Sequence, residues 1–257
     1  MIKRRIFPDQ EAFPAPIWDL LQNANVFDSS GRSNAQVLFC DKGYYIKSDA
    51  KGELAQEAAL GKRFHAWGLG VEVVAYLSQD RDYLVTRSAA GEDLTHCLEK
   101  PEQLCELMAG ALQRLHSLPL GDMPVSSRQQ RYLESAGGDL TGGYYDPSVL
   151  MEGFRIGSKR EAWEIMQADQ GRLRQDTLIH GDACLPNVIC RNGSFSAFID
   201  LNMAGAGDRH IDLYWALWSL QYNLGTERFA ERFLDAYGRE HVDMDMLRVV
   251  AAFELFG

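Results

Sequence analysis

Three side chains that carry oxygen atoms lie in the C-terminal half of the sequence, at spacings that suit phosphoryl transfer. Asp182 closes a His-Gly-Asp triplet, Asn187 follows five residues later, and Asp200 ends an apolar run. In ATP-dependent phosphoryl transfer one Asp orients the attacking hydroxyl, while an Asn and a second Asp hold Mg²⁺ against the phosphates. We therefore predict Asp182 as the catalytic residue, and Asn187 and Asp200 as the metal ligands.

A purely structural interpretation of the same residues stays open. A His-Gly-Asp triplet by itself is more typical of a turn beside a core histidine than of a catalytic loop. The residues after Asn187 favour catalysis, because residues 188–190, the turn Arg191-Asn192-Gly193 and residues 195–199 form the pattern of a β-hairpin. Such a hairpin presents Asn187 and Asp200 at neighbouring strand ends, where one metal ion can contact both.

A longer motif surrounds these three residues. It consists of Leu-Ile-His-Gly-Asp-Ala-Cys-Leu-Pro-Asn at 178–187, Phe-Ile-Asp at 198–200, Gly205, Asp208-Arg209 and Asp212-Leu213. The motif resembles the signature of the aminoglycoside 3′-phosphotransferases, a small-molecule branch of the protein-kinase-like fold. The resemblance implies an α+β, two-lobe fold, with a small β-rich N-lobe over residues 1–87 and a larger α-rich C-lobe over residues 88–257. It also implies ATP and Mg²⁺ as cofactors.

The resemblance places a phosphate-binding cation in the N-lobe. Lys47 ends a predicted strand, in the position of the kinase lysine that contacts the α- and β-phosphates. Glu57 matches the glutamate that orients this lysine, and Glu53, one helical turn earlier, is the alternative partner. Without the downstream motif, a solvated Lys and a surface Glu would be the simpler interpretation.

Further positions complete the implied nucleotide site. Ser33 matches a serine of the phosphate-positioning loop, although Ser-Gly clusters are also ordinary hairpin turns. Tyr45 precedes Lys47 by two residues and so shares its face of the strand, where the family stacks the adenine ring. An ordinary strand tyrosine is the alternative. The backbone near Arg87 and Ser88 is expected to contact the edge of the adenine.

The resemblance implies a cationic aminoglycoside as the acceptor, phosphorylated on its 3′-hydroxyl and bound by carboxylates. Glu152 stands in the first acidic region that the family uses, although Asp146 competes for that role. Glu254 and Phe256 match the family's final acidic and aromatic residues. We therefore expect Glu152, Glu254 and Phe256 to contact the acceptor.

Two segments depart from the family pattern. Asn202-Met203 replace a common Gly-Arg pair after the metal-binding Asp, so a cation near the catalytic loop is missing. Trp218, Ser219 and Tyr222 stand where the following helix tends to be acidic. Two alternatives therefore stay open: the same reaction on another hydroxyl acceptor, such as another antibiotic, a sugar or an amino alcohol, and a kinase fold that binds nucleotide without turnover.

The composition predicts an acidic cytoplasmic protein. The 257 residues include 36 acidic and 26 basic ones, for a net charge of −10, which disfavours nucleic acid and suits a cationic substrate. No apolar run approaches the roughly 20 residues of a membrane helix, and the first residues lack a signal-peptide core. The five cysteines include no Cys-x-x-Cys pair, so we predict reduced thiols. A monomer or weak dimer without membrane contact is expected.

The elements that must position the predicted site follow from hydrophobic periodicity. We predict a hairpin over 36–47, a helix over 51–67, strands over 71–77 and 83–86, a hinge at 87–91, a helix with an apolar face from Leu104 to Leu115, a helix after 208, and helices over 226–237 and from 243 onward. No repeat or long linker interrupts the chain, so a short hinge must join the two lobes.

Overall fold

The computed structural model describes residues 4–31, 34–136, 138, 140 and 144–257. The chain divides into two compact units, residues 1–90 with 197–202, and residues 91–196 with 203–257. The sequence predicted the lobe boundary between residues 87 and 88, slightly before the boundary that the structure shows after residue 90. It did not predict that residues 197–202 belong to the first unit. The first unit is built on one large sheet and the second is mainly helical, in agreement with an α+β fold.

Six antiparallel strands form the sheet of the first unit. In their order across the sheet they are β1 (Arg4–Ile6), β2 (Val26–Asp28), β3 (Gln36–Cys40), β4 (Tyr44–Ala50), β6 (Arg81–Arg87) and β5 (Val73–Ser78). The predicted hairpin over 36–47 is confirmed, because β3 and β4 pair directly across a tight turn. Gly43 lies in this turn at φ +87°, a conformation that glycine adopts without a steric penalty.

Two helices pack against this sheet. Helix α1 (Ala15–Leu21) contributes Ile17 and Leu21 to a buried cluster with strand residues such as Leu38 and Ile46. Helix α2 (Ala55–Ala66) follows β4 and buries Phe64, whose ring lies 6.5 Å from that of Phe198 in an edge-to-face contact. The face of the sheet beneath α1 therefore holds the main core of the first unit.

Helix α2 begins later than residue 51, where the sequence predicted its start. The backbone N–H groups of Gly52 and Leu54 donate to Asp82 Oδ2 at 2.9 and 3.0 Å, and Gly52 has a φ of +94°. The buried Asp82 carboxylate therefore holds residues 51–54 in a turn, which delays the first helical residue. The predicted end of the helix, residue 67, is close to the observed end at Ala66, and Gly68 lies just past the helix at φ +66°.

Six α-helices build most of the described part of the second unit. They are α3 (Pro101–His116), α4 (Ser127–Ala136), α5 (Lys159–Asp169), α6 (Arg209–Leu224), α7 (Ala230–Tyr237) and α8 (Met244–Glu254). The predicted apolar face of α3 is confirmed, since Leu104, Met108, Leu112 and Leu115 are all buried. Within the described ranges, no helix combines the length and the apolar character that a membrane span requires.

Helix α7 begins at Ala230, so the start predicted at Thr226 is wrong. The Thr226 hydroxyl oxygen accepts the N–H of Arg228 at 3.2 Å, which makes a local turn and not a helix cap. The last helix begins as predicted, because Asp243 caps α8 by accepting the N–H groups of Asp245 and Met246. A threonine near a periodic run signals either structure, and the surrounding packing decides between them.

Short strands in the second unit frame the segment from residue 180 to 187. Strand β8 (Thr177–Ile179) pairs with β11 (Gly205–Gly207) and leads into this segment. Strands β9 (Val188–Arg191) and β7 (Glu92–Asp93) pair in a second sheet, to which β10 (Ser194–Phe198) adds the outer strand. The predicted hairpin is confirmed, with Asn192 and Gly193 both at positive φ as a type I′ turn requires.

The backbone conformation of Gly91 can be used to test how closely the segment before β7 packs against β9. Gly91 has a φ of +117°, and a Cβ added there would lie 2.0 Å from the Cys190 carbonyl oxygen. We expect Gly91→Ala to destabilise the protein by about 1–3 kcal/mol, the usual cost of backbone strain that the structure cannot relax. Thermal unfolding followed by circular dichroism measures this as a lower Tm.

The matched control is Gly110→Ala in α3, where an added Cβ has no heavy atom within 4 Å. Alanine is favoured over glycine in a helix interior by about 1 kcal/mol, so this variant should keep or raise the Tm. A Gly91→Ala variant that unfolds at the wild-type temperature would contradict the assignment of a fixed backbone at this position.

Candidate active site

The segment from His180 to Asn187, which we call the catalytic loop, brings two of the predicted site residues together in the second unit. The Asn187 side-chain nitrogen donates to the Asp182 carbonyl oxygen at 2.9 Å and to Asp182 Oδ2 at 3.0 Å. The Asp182 side chain is 30% exposed. Asn187 therefore orients the Asp182 carboxylate, while its own Oδ1 is the atom left to contact a cation.

A buried carboxylate fixes the start of the catalytic loop. Asp212 on α6 is fully buried and accepts the N–H of His180 on Oδ2 and that of Gly181 on Oδ1, both at 2.7 Å. His116 Nε2 lies 3.0 Å from the same Oδ2. Gly181 has a φ of +79°, and a Cβ there would lie 2.3 Å from the Met203 carbonyl oxygen. Only glycine fits this close approach.

Cys184 also contacts Asp182. Its Sγ donates to Asp182 Oδ1 at 3.4 Å, and burial together with the Asp182 charge raises the pKa of the Cys184 thiol. A thiol with a raised pKa is a neutral hydrogen-bond donor and a poor nucleophile. Cys184 is therefore a hydrogen-bond donor to Asp182 and is not suited to act as a nucleophile.

Arg128 on α4 is a site residue that the sequence did not reveal. Its Nε donates to the Gly181 carbonyl oxygen at 2.9 Å, and its Nη2 lies 3.8 Å from Asp182 Oδ1. Burial disfavours its charge, but the carboxylates of Glu254 and Asp182 outweigh burial and raise the pKa of Arg128. The only sequence signal was indirect, namely the missing arginine at Met203, and the separation of Arg128 from the loop hid the contact.

The structure places Glu254 differently from the expected acceptor ligand. The Glu254 side chain is 1% exposed, and its carboxylate accepts from Arg128 Nη1 at 3.2 Å, from the Tyr132 hydroxyl and from the Trp215 indole N–H. Burial raises the pKa of Glu254, and the charge of Arg128 opposes that rise. These three donors occupy the carboxylate, so it does not face a solvent-filled site.

The other predicted acceptor residues occupy different surroundings. Phe256 is 9% exposed and its ring contacts those of Tyr145 and Trp163. Glu152 is exposed at the start of a short 3₁₀ helix, Glu152–Phe154. Asp146, its competitor, accepts the Ser148 N–H at 2.8 Å and the Tyr144 hydroxyl at 3.1 Å. Of the predicted carboxylates, Glu152 is thus the one most accessible to a ligand.

Aromatic rings on α6 form a continuous series that starts beside Arg128. The Arg128 guanidinium carbon lies 4.8 Å from the centre of the Trp215 ring, and Trp215 is 5.4 Å from Trp218. Trp218 stacks on Tyr222 at 5.0 Å with an interplanar angle of 13°, and Tyr222 is 62% exposed. Where the family tends to be acidic, this helix therefore presents aromatic faces.

The first unit contains its own cluster of charged residues. Lys47 Nζ lies 2.8 Å from Glu57 Oε2 and 2.8 Å from Asp200 Oδ1. Burial disfavours the ammonium charge, but the two carboxylates outweigh it and raise the pKa of Lys47. The pairing of Lys47 with Glu57 is therefore present, while the alternative partner Glu53 is exposed. Asp200 has a φ of +58°, an uncommon conformation for a residue other than glycine.

Other predicted nucleotide-site residues lie on the same sheet. Tyr45 pairs with Phe39 across β3 and β4, with ring centres 5.0 Å apart, and alternation puts Tyr45 on the face that carries Lys47. The N–H groups of Arg87 and Ser88 donate to the carbonyls of Glu72 and Gly43, both at 2.9 Å. These amides are thus not donors for a nucleotide. Ser33 lies outside the described residues.

The donor atoms at Asn187 and Asp200 fit Mg²⁺ better than a transition metal. Among the described residues, no group of three or more His, Cys, Asp or Glu side chains could hold a metal ion. Mg²⁺ does not need such a group, since it commonly binds one or two protein oxygen ligands together with phosphates and water. The Asp200 side chain is 45% exposed and Lys47 contacts only its Oδ1, so Oδ2 is the atom suited to Mg²⁺.

Sequence comparison relates the chain to a known family. The profile of the phosphotransferase enzyme family matches residues 26–251. A Lactococcus lactis protein named as a probable aminoglycoside 3′-phosphotransferase is 39% identical over 254 residues, which is 96% of each chain. The aminoglycoside 3′-phosphotransferase of Niallia circulans is 28% identical over 177 residues, which covers 68% of this chain and 67% of the relative.

Solved structures with a similar fold agree with this relationship. An aminoglycoside phosphotransferase from Streptomyces rimosus has a TM-score of 0.70 at 21% identity, covering 88% of this chain and 91% of that one. An aminoglycoside-3′-phosphotransferase of type VIII has a TM-score of 0.67 at 20% identity, covering 96% of each chain. The prediction of a protein-kinase-like fold is confirmed, and the chain belongs to the phosphotransferase enzyme family.

Proposed function

We propose that this protein transfers the γ-phosphoryl group of ATP to a hydroxyl group of an aminoglycoside, with the 3′-hydroxyl as the first candidate. The observation that carries the proposal is the paired geometry of Asp182 and Asn187, because this arrangement presents a fixed and partly exposed carboxylate. The name of the Lactococcus lactis relative, which matches over 96% of this chain, supports the choice of acceptor. The consequence for a cell would be resistance to the drug.

On the acceptor side, Asp182 would orient the attacking hydroxyl and accept its proton. The Asn187 amide and the Cys184 thiol both donate to this side chain, so its direction is fixed before the acceptor binds. Because phosphoryl transfer depends mainly on positioning and electrostatics, a carboxylate with a fixed direction is the chief contribution that the protein makes at the nucleophile.

On the nucleotide side, Lys47 would neutralise the charge of the α- and β-phosphates. Its ammonium group is already held by Glu57, which is buried, so phosphate binding need not order a flexible side chain. Asp200 and Asn187 would hold Mg²⁺, which supplies positive charge to the phosphate oxygens when bound. The face of β4 that carries Tyr45 is the proposed location of the adenine ring.

A different small-molecule acceptor is the second candidate, and two observations favour it. Glu254 is enclosed by protein donors, and α6 presents the stacked rings of Trp218 and Tyr222 in place of carboxylates. Aromatic faces attract single cations and apolar surfaces, whereas a polycationic sugar is better matched by several carboxylates. An acceptor with few ammonium groups therefore fits these residues. We propose that either reaction takes place in the cytoplasm, in a monomer or weak dimer.

The first prediction that follows from the proposed function concerns Asp182. We expect Asp182→Asn to lower kcat by about 10²-fold or more, because an amide keeps the shape but cannot accept the proton of the hydroxyl. The Kd for Mg·ATP should change less than about twofold, since this residue acts on the acceptor. Steady-state kinetics and calorimetric titration measure the two quantities.

The control for this prediction is Glu134→Gln, which removes an exposed carboxylate from α4 in the same unit. It should behave as the wild type in both measurements. A near-wild-type kcat in Asp182→Asn would remove this residue from the mechanism.

The second prediction concerns the metal ligands. Asp200→Asn should weaken Mg·ATP binding, because a charged oxygen ligand becomes neutral, and Asn187→Ala should weaken it less. The measurement is a titration of ATP into each variant at saturating Mg²⁺, repeated with ATP and excess chelator. Equal affinity of Asp200→Asn and wild type at saturating Mg²⁺ would rule out Asp200 as a ligand.

The third prediction concerns the acceptor. Kanamycin, which has a 3′-hydroxyl, should be phosphorylated, whereas tobramycin, which lacks this group, should bind without turnover, because only the first places an oxygen against Asp182. ADP release with each drug, together with mass spectrometry of the product, decides the matter. Equal phosphorylation of both drugs would move the reaction to another hydroxyl, and turnover of neither would favour the second candidate.

A further inference from the structure

We infer that Arg128 is the positioning residue for Asp182, and that Glu254 is the buried counterion of Arg128 and not a ligand for the acceptor. In this arrangement α4 supplies the cation that the chain lacks at Met203. The inference deepens the proposed function and rests on it, because it assigns the group that holds the catalytic carboxylate in place.

The contacts of one guanidinium group carry the inference. Arg128 Nε donates to the Gly181 carbonyl oxygen at 2.9 Å, while Nη2 lies 3.8 Å from Asp182 Oδ1. The same group therefore faces both the peptide that precedes Asp182 and the side chain of Asp182. A planar guanidinium can contact two groups at fixed angles, which a lysine ammonium cannot reproduce. The Trp215 ring covers one face of the guanidinium at 4.8 Å.

The surroundings of Glu254 explain its assignment as a counterion. The Arg128 side chain is 12% exposed and the Glu254 side chain is 1% exposed, so neither charge is well solvated. The hydroxyl of Tyr132 and the indole of Trp215 donate to the Glu254 carboxylate in addition to Arg128. An ammonium group of an acceptor would have to displace these donors. The pair is therefore complete without a ligand.

The start of α4 is attached to the segment in which the expected arginine is missing. The Ser126 hydroxyl donates to the Met203 carbonyl oxygen at 2.6 Å, and the Ser126 N–H donates to the Ala206 carbonyl oxygen at 2.8 Å. Ser126 is fully buried. These bonds hold the first turn of α4 against residue 203, so Arg128 reaches the catalytic loop from the neighbouring chain segment. The Asn202-Met203 pair then no longer supports the alternative of a kinase fold that binds nucleotide without turnover.

The test uses Arg128→Ala, Arg128→Lys and the matched control Arg131→Ala, an exposed arginine on the same helix. We expect Arg128→Ala to lower kcat by about 10²-fold, the usual effect of misplacing a catalytic group. The KM for Mg·ATP should change less than about twofold, because the contacts that carry the inference are with Gly181, Asp182 and Glu254, none of which is assigned to the nucleotide. Arg131→Ala should match the wild type. A kcat of Arg128→Ala equal to that of the wild type would overturn the inference.

Chemical rescue separates positioning from a general structural role. Ethylguanidinium added to Arg128→Ala should raise the kcat of this variant at least tenfold, whereas ethylammonium should not. Only a planar guanidinium group can contact both the Gly181 carbonyl oxygen and the Asp182 carboxylate. If Arg128→Ala does not fold, Arg128→Lys decides instead. This variant keeps the positive charge but lacks the planar guanidinium group, so its kcat should fall about tenfold or more. An unchanged kcat would overturn the inference.

Glu254→Gln tests the counterion. We expect a lower kcat with a KM for the acceptor within about twofold of the wild type, because the carboxylate acts through Arg128. A double variant, Arg128→Met with Glu254→Gln, should melt at a higher temperature than Arg128→Met alone, since the single variant leaves a buried charge unpaired. A large rise in the acceptor KM of Glu254→Gln with unchanged kcat would make Glu254 an acceptor ligand and overturn the assignment.

The proposed function can fail separately. If wild-type protein phosphorylates none of the cationic acceptors, the aminoglycoside proposal fails, and the slow hydrolysis of ATP by water then serves as the reaction. A water nucleophile needs the same oriented carboxylate, so Arg128→Ala should still hydrolyse ATP about tenfold or more slowly than wild type. Equal hydrolysis rates in the two proteins would overturn the inference about Arg128.

Discussion

The position of the catalytic loop depends on the buried carboxylate of Asp212. Both of its oxygen atoms accept backbone N–H groups at the start of the loop, from His180 and Gly181. A buried carboxylate without such donors would be strongly unfavourable, so in the folded protein the positions of the helix that carries Asp212 and of the loop that carries Asp182 depend on each other. The direction of the Asp182 side chain, its contact with Asn187 and the reach of Arg128 all follow from the backbone position that Asp212 sets.

Each unit contains a cation with little exposure that lies between two carboxylates. In the first unit Lys47 lies between Glu57 and Asp200, and in the second Arg128 lies between Glu254 and Asp182. Buried ion pairs add little net stability, because the loss of hydration offsets the attraction between the charges. Their effect here is geometric, since each cation is held by one enclosed carboxylate and directed at a more exposed one. Both exposed carboxylates, Asp182 and Asp200, are those assigned to the reaction.

Lys47 and Glu57 pair as the family resemblance implies, whereas the residues expected to bind the acceptor lie in surroundings that were not expected. Glu254 matches the family's acidic residue in sequence, yet it is enclosed with Arg128, Tyr132 and Trp215. The aromatic series on α6 extends from this buried pair to the exposed ring of Tyr222. In the proposed arrangement Arg128 takes the place of the arginine expected at Met203, and Glu254 and Trp215 contact its guanidinium group.

The sequence by itself, through its resemblance to the family, determined the fold family. It also predicted the loop from His180 to Asn187 and favoured Glu57 over Glu53 as the partner of Lys47, because these predictions depend on short motifs within a turn, a hairpin or one strand and its helix. It also predicted the β3–β4 hairpin and the buried face of α3 from their periodicity. Only the tertiary structure decided the role of Arg128 and the surroundings of Glu254, which lie 126 residues apart. Burial and hydrogen-bond partners between such distant positions arise from packing, and local periodicity contains no record of them.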